Sequence, residues 1–238
     1  MKRATIHALL ICAACLSGDV AQAVDPVSYR AEYQLVWAGQ VVGEAHLEAR
    51  YDAAGGYEFG AESQAVGMWR WLRDDRIVET SSGHFDAQGL HPAHYVYQHQ
   101  VGENDKRHVE LFFDRDAQSV SNRVAGDEWT MSIPPGTLDK ASLQIAVIDG
   151  LREGKRSQTF NVADGGRLKQ YRFDVVQDAL LDTPLGRLDT VVVERRKGTR
   201  AVDVVLWCAP ALNYLPVRIE RRHQILGGVM ELVALKTL

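Results

Sequence analysis

Over residues 27–37 the odd positions are Val27, Tyr29, Ala31, Tyr33, Leu35 and Trp37, while Ser28, Arg30, Glu32 and Gln34 hold the even ones. A period of two sends one row to a core and the other to water, which is the signature of a one-faced β-strand. Across Ala38-Gly39-Gln40 the same parity resumes in Val41, Gly43, Ala45, Leu47, Ala49 and Tyr51. The two stretches therefore predict an antiparallel hairpin with both apolar rows on one face. Segments of the same kind cover residues 57–66, 76–85, 94–101, 107–114, 119–124 and 129–133. A second set covers 158–162, 168–176, 188–196, 202–207, 217–225 and 229–235. Glycines punctuate them, as at Gly55-Gly56, Gly89, Gly102, Gly126, Gly165-Gly166 and Gly198.

One segment reads as helix, residues 139–152. Thr137 or Asp139 can cap its start, Pro134-Pro135-Gly136 keeps the preceding chain out of a helix, and Gly154 ends it. Leu143, Ile145, Ala146, Val147, Ile148 and Leu151 cover most of its circumference, so it is expected to be covered on more than one side. The predicted fold is mainly β: a single strongly curved antiparallel sheet, a barrel or half-barrel, with this one buried helix in or over its concave side. No linker or internal repeat divides residues 24–238, which predicts one β-rich domain. An outer-membrane barrel fits poorly. The polar rows carry charges such as Glu44, Glu48, Arg50, Glu194 and Arg196, and the apolar rows contain small residues rather than a lipid-facing band with aromatic girdles.

Composition narrows the class. With 46% hydrophobic and 24% charged residues in 238, the chain has the makeup of a packed globular protein. Its net charge of −4, with basic residues scattered, argues against a nucleic-acid partner. Residues 1–23 resemble a secretory signal peptide: Lys2 and Arg3, an apolar stretch from Ile6 to Leu16, and Ala21-Gln22-Ala23 as a small-x-small cleavage site. That stretch is too short to span a bilayer, and no later run is longer, so no transmembrane segment is expected. The predicted address is the periplasm. The alternative is a lipid anchor on Cys15, which follows Ala13-Ala14. Cleavage after Ala23 leaves Cys208 as the only cysteine, so no internal disulfide is expected, and the apolar flanks of Cys208 mark it as a small buried residue.

Candidate chemistry is sparse. Five histidines, His84, His91, His94, His99 and His108, crowd one stretch and raise a metal hypothesis. Parity opposes it, because on one continuous strand His94 faces away from His91 and His99. His99 and His108 remain the weak metal candidates: they lie opposite each other if the hairpin turns on Glu103-Asn104, and not if it turns on Asn104-Asp105. Residues 67–73 alternate as in an extended strand, with Trp69 and Trp71 on one face and Met68 and Leu72 on the other. They read as an exposed rim for an apolar ligand or as a strand end packed on the core. Trp69 and Trp71, with Leu143, Val147 and Leu151 of the helix, are the candidate ligand-binding residues. No nucleophile elbow, zinc helix, paired-cysteine motif or phosphate loop occurs after residue 23. No catalytic residue or cofactor is therefore assigned, and a non-enzymatic role is favoured.

Several phrases taken in order resemble domain-of-unknown-function family 3108, a group of exported bacterial envelope proteins. They are YQLVWAGQVVGEAHLEARYD, SSGHFDAQGLHPAHYVY, TLDKASLQIAVIDGLREG, DTPLGRLDTVVVERRKG and LWCAPALNYLPVRIE. The resemblance spans nearly all of residues 24–238 and departs from the family at Cys208. It implies an envelope protein of unassigned activity and carries over no catalytic residue. By looser analogy, a curved sheet closed by a helix looks like the periplasmic lipoprotein carriers and related lipid-binding half-barrels. Three functions follow as expectations. The first is a binder of a lipid or other apolar small molecule in the concave face, and the second an envelope interaction module with a solid core and a protein partner. The least favoured is a metal-dependent hydrolase built on the His84–His108 cluster.

Overall fold

A computed structural model of the protein describes residues 27–72, 74–86, 88–222 and 228–238. Residues 1–23, expected to be a signal peptide and including Cys15, lie outside the described residues, as do Arg73 and the last part of the strand expected at 217–225. The parity of the sequence becomes one sheet of fourteen antiparallel strands. In chain order these are β1 (Tyr29–Trp37), β2 (Gln40–Tyr51), β3 (Gly56–Ala65), β4 (Asp75–Asp86), β5 (Gly89–Val101), β6 (Asn104–Asp114), β7 (Ser119–Val124) and β8 (Asp127–Ser132). After the helical segment come β9 (Ser157–Ala163), β10 (Leu168–Thr183), β11 (Gly186–Lys197), β12 (Val202–Ala209), β13 (Leu215–Arg221) and β14 (Val229–Thr237). The spatial order is β8-β7-β6-β5-β4-β3-β2-β1-β14-β13-β12-β11-β10-β9, so the first and last strands pair in the middle.

The sheet curves strongly but does not close, leaving β8 and β9 as its two edges. The connection between them seals the seam. Leu138 donates its N–H to Asn161 O at 2.9 Å and accepts from Ala163 N–H at 2.8 Å, giving β9 a one-residue parallel partner. Higher on the seam the buried Asn122 Oδ1 accepts the N–H of Gly166 at 2.8 Å, and the Trp129 ring lies where a Cβ on Gly166 would sit. Asn161 O, Ala163 N–H and Gly166 N–H, on and just after the β9 edge, are thereby satisfied.

The main helix, α2 (Ser142–Arg152), lies on the inner face and starts three residues later than the sequence reading placed it. Asp139 stands outside its first turn and caps it: Oδ1 accepts the N–H groups of Ala141 and Ser142, both at 2.8 Å. Leu143, Val147 and Leu151 pack into a buried core with Tyr33, Tyr57, Phe59, Tyr95, Leu111 and Leu232. Cys208 is fully buried there, and burial pushes its thiol up to about 12, so it is unreactive at neutral pH.

Two segments differ from the sequence reading. Residues 67–72 are not an extended strand end: after Gly67, at φ 57°, the chain forms a single helical turn, α1 (Met68–Leu72). Among the described residues no strand pairs with this turn, and the Trp69 N–H bonds back to Val66 O at 3.2 Å. The second is the β10–β11 hairpin, which runs on to Thr183 and Gly186. Beyond Asp174 on one strand and Val191 on the other it pairs with no further strand, and it forms an arm carrying exposed Val176, Leu180 and Leu185.

Candidate functional site

At the end of the barrel beside the start of β1, α2 does not fill the space left by the sheet. Between it, β1, β2, β14 and the 3-10 turn Pro210–Leu212 lies a cavity of about 150 Å³. Its apolar lining comes from Tyr29, Ile145, Ile148, Leu212, Leu215 and Leu235, and its polar side from Tyr51, Asp149 and Arg152. Ile145, Ile148 and Arg152 are three and four residues apart and so share one helix face. Asp149 and Arg152 pair at 3.4 Å. Burial raises the Asp149 carboxyl above its ordinary range, and Arg152 offsets only part of that rise. Burial likewise raises the Tyr29 and Tyr51 phenols, which stay neutral. Among the described residues the cleft offers apolar walls and one charged pair.

The histidine stretch is organised by a bulge. Gly83 pairs with Pro92 and Ser82 with His94, so Ala93 is the extra residue. His91 and His94 therefore lie on the same face, against the parity reading, and His94 stacks on Phe112 with ring centroids 4.6 Å apart. The next turn falls at Gly102-Glu103, and a second register shift sets His99 opposite Arg107 and His108 opposite Gln98. His99 and His108 are therefore not cross-strand partners. His99 Nε2 instead lies 2.7 Å from Asp75 Oδ1. Among the described residues, the donor atoms of His84, Asp86 and His91 all lie within 4.8 Å of one another, close enough to share a cation. However, Arg115 donates to Asp86 Oδ2 at 3.0 Å and lies 3.4 Å from His84 Nε2, in the place a metal ion would take. Partial desolvation acts to raise the Asp86 carboxyl, yet hydrogen bonds from His91, the Gln88 N–H and Arg115 hold it well below the usual range. Its charge is already met.

The model of a family described as "Protein of unknown function (DUF3108)" matches residues 28–233. The chain belongs to the DUF3108 family. No curated protein matches it. Among solved structures, this DUF3108 chain is similar to a β-barrel-like protein of domain of unknown function DUF1849 from Brucella abortus. The two are 13% identical over 89% of this chain and 98% of that one, with a TM-score of 0.62. A "putative lipoprotein" from Parabacteroides distasonis ATCC 8503 is 11% identical over 89% and 96%, with a TM-score of 0.32. The first likeness shows that the DUF3108 fold is β-barrel-like. Among the described residues no helix is long and apolar enough to cross a membrane.

The structure separates the sequence-chosen ligand residues of this DUF3108 protein. Trp69 meets Trp37 edge to face with ring centroids 5.6 Å apart, whereas Trp71 is 93% exposed, and both sit at the opposite end from the cleft. Leu143, Val147 and Leu151 are buried in the core and do not line the cleft, whereas Ile145 and Ile148, on another side of α2, both pack on the core and line it. An almost wholly apolar helix does not reveal which of its sides is packed and which borders a cavity. That choice is made by the neighbouring strands.

Proposed function

We propose that this DUF3108 protein is a non-enzymatic binding protein of the bacterial cell envelope, exported to the periplasm by residues 1–23. It takes the apolar end of an amphipathic small molecule into the cleft beside α2. The cleft carries the reading: apolar walls from Ile145, Ile148 and Leu235 end at the paired Asp149 and Arg152, which suits an apolar tail with a polar group behind it. An apolar cavity of roughly 150 Å³ holds a benzene-sized group. The occupant is therefore a chain end or small ring, with the rest of the molecule outside. The concave face elsewhere is filled by side chains such as Tyr33, Tyr95 and Leu111.

Substituting Ile148→Trp should fill the cleft while leaving the buried side of α2 intact. With a fluorescent medium-chain fatty acid as probe, the wild-type chain is expected to bind saturably and the variant about tenfold more weakly or not at all, at an unchanged melting temperature. Equal binding by the two chains would remove the proposal. The β10–β11 arm, which packs Leu181 and Leu188 on the core and leaves Val176, Leu180 and Leu185 exposed, favours a second reading, docking on an envelope protein. A chain shortened to the base of the arm that still recovers the same crosslinked partner would count against it.

A further inference from the structure

The inner rows do not stay apolar to the end of the barrel opposite the cleft. On β6 the inward position after Val109 is Arg107, on β10 the one after Tyr171 is Lys169, and β11 ends on Lys197, paired with Tyr171. Arg221 closes β13, and Lys140, just ahead of α2, reaches up among them. We propose that this mouth is a binding site for a phosphate-type oxyanion, held by Lys140, Lys169, Lys197, Arg107 and Arg221.

Charge balance is the first ground. The Asp164 carboxylate is approached by three cations: Lys169 in a direct hydrogen bond, Lys140 at 3.7 Å and Arg107 at 3.9 Å. Glu79 lies 3.7 Å from Lys140 but already accepts the hydroxyl of Tyr95 at 2.6 Å. Among the described residues no carboxylate pairs with Lys197 or Arg221. The neighbouring Arg195 is matched by a two-pronged bond to Asp203, and Asp75 is engaged by a hydrogen bond with His99. Five cations thus converge on two carboxylates in a chain whose overall charge is −4. The excess belongs to this place and not to the composition.

Burial is the second ground. Asp164 and Lys169 side chains are only 10% and 21% exposed. Like charges held together in a partly desolvated site destabilise the fold unless an anion joins them. The lysines register this: Lys169 is pushed down to about 8, first by burial and then by repulsion from Lys197, Lys140 and Arg107. Burial also lowers Lys140, with Arg107 and Arg221 adding to it against the pull of Glu79. Lys140 further lies 4.4 Å from the centroid of the Tyr97 ring, which holds its ammonium in the mouth. Phosphate oxygens meet such a set well, because each lysine and arginine donates a charge-assisted hydrogen bond.

The site lies away from the cleft and stands independently of it. The test titrates the purified chain with inorganic phosphate at fixed ionic strength by calorimetry. In parallel, the chain is sedimented with phosphatidylcholine vesicles with and without phosphatidic acid. Two variants accompany it: Lys197→Gln with Arg221→Gln at the rim, and Lys140→Met, with folding checked by melting temperature. Saturable phosphate binding that weakens roughly tenfold per cation removed supports a free oxyanion as the ligand. Binding only to vesicles containing phosphatidic acid, lost in the same variants, supports a lipid head group. The proposal is overturned if neither probe binds, or if folded variants bind as the wild type does.

Discussion

Replacing Asp139 with alanine is expected to destabilise the protein by about 3 kcal/mol. The substitution strands the N–H groups of Ala141 and Ser142 and the hydroxyl of Ser81, each buried and each worth roughly 1 kcal/mol or more when left unpaired. It also removes the cap of α2, the helix that forms one wall of the cleft. Urea unfolding at neutral pH, followed by tryptophan fluorescence, reads the loss. A midpoint within experimental error of the wild type would show that water replaces the carboxylate. Asp139→Asn isolates the charge. Burial raises the Asp139 carboxyl from 3.8 to about 6, outweighing the hydrogen bonds from Ser142, Ser81 and the Ala141 N–H that lower it. Between these two values the folded chain keeps a proton that the unfolded chain has lost. Stability from this group is therefore present at the acid end and falls as pH rises through the folded value. The asparagine variant keeps an oxygen for the two N–H groups and should lose that slope. An identical pH profile in both chains would mean that Asp139 is not the group responsible.

The distribution of legible and illegible features has a physical cause. The β1–β2 hairpin could be read because each strand has one buried face; the observed pairs Ala31–Leu47 and Tyr33–Ala45 are the ones parity requires. The fold class was legible for the same reason. Ala93 was not, because a bulge inserts one residue without altering composition and inverts every later parity on its strand, which is how His94 came to share a face with His91. α1 was missed because alternation in seven residues reads as a strand, while a rim with no partner strand makes a helical turn cheaper than open backbone. The cationic mouth could have been found. Extending the buried rows to their ends places Arg107 in line with Val109 and Leu111, and Lys169 in line with Tyr171 and Phe173. Charged residues at strand ends are habitually taken for solvated turns, and here Arg107 and Lys169 turn toward Asp164. The cleft has no comparable signal, since it depends on which side of α2 the strands leave uncovered.

The bulge itself yields the other large effect. Gly83→Ala is expected to cost about 3 kcal/mol, although Gly83 has an ordinary extended conformation and alanine is a conservative change elsewhere in a strand. A Cβ at Gly83 would lie 2.1 Å from His91 O, 2.8 Å from Pro92 Cα and 2.8 Å from Tyr57 Cε1. Two of these are backbone atoms of the bulged strand and cannot turn aside, and the third belongs to a core ring that is 2% exposed. Relief requires β5 to move away from β4 or to give up the bulge, and giving it up would exchange the inward and outward residues on one side of Ala93. Gly60→Ala supplies the control. Gly60 lies in the adjacent strand β3 with nothing within 4 Å of its would-be Cβ, so the same change there should stabilise by about 0.5 kcal/mol through reduced freedom of the unfolded chain. Denaturant midpoints of the two variants should therefore move in opposite directions. If Gly83→Ala instead follows Gly60→Ala within about 0.5 kcal/mol, the close approach of β4 to the bulge is not what holds this part of the sheet in register.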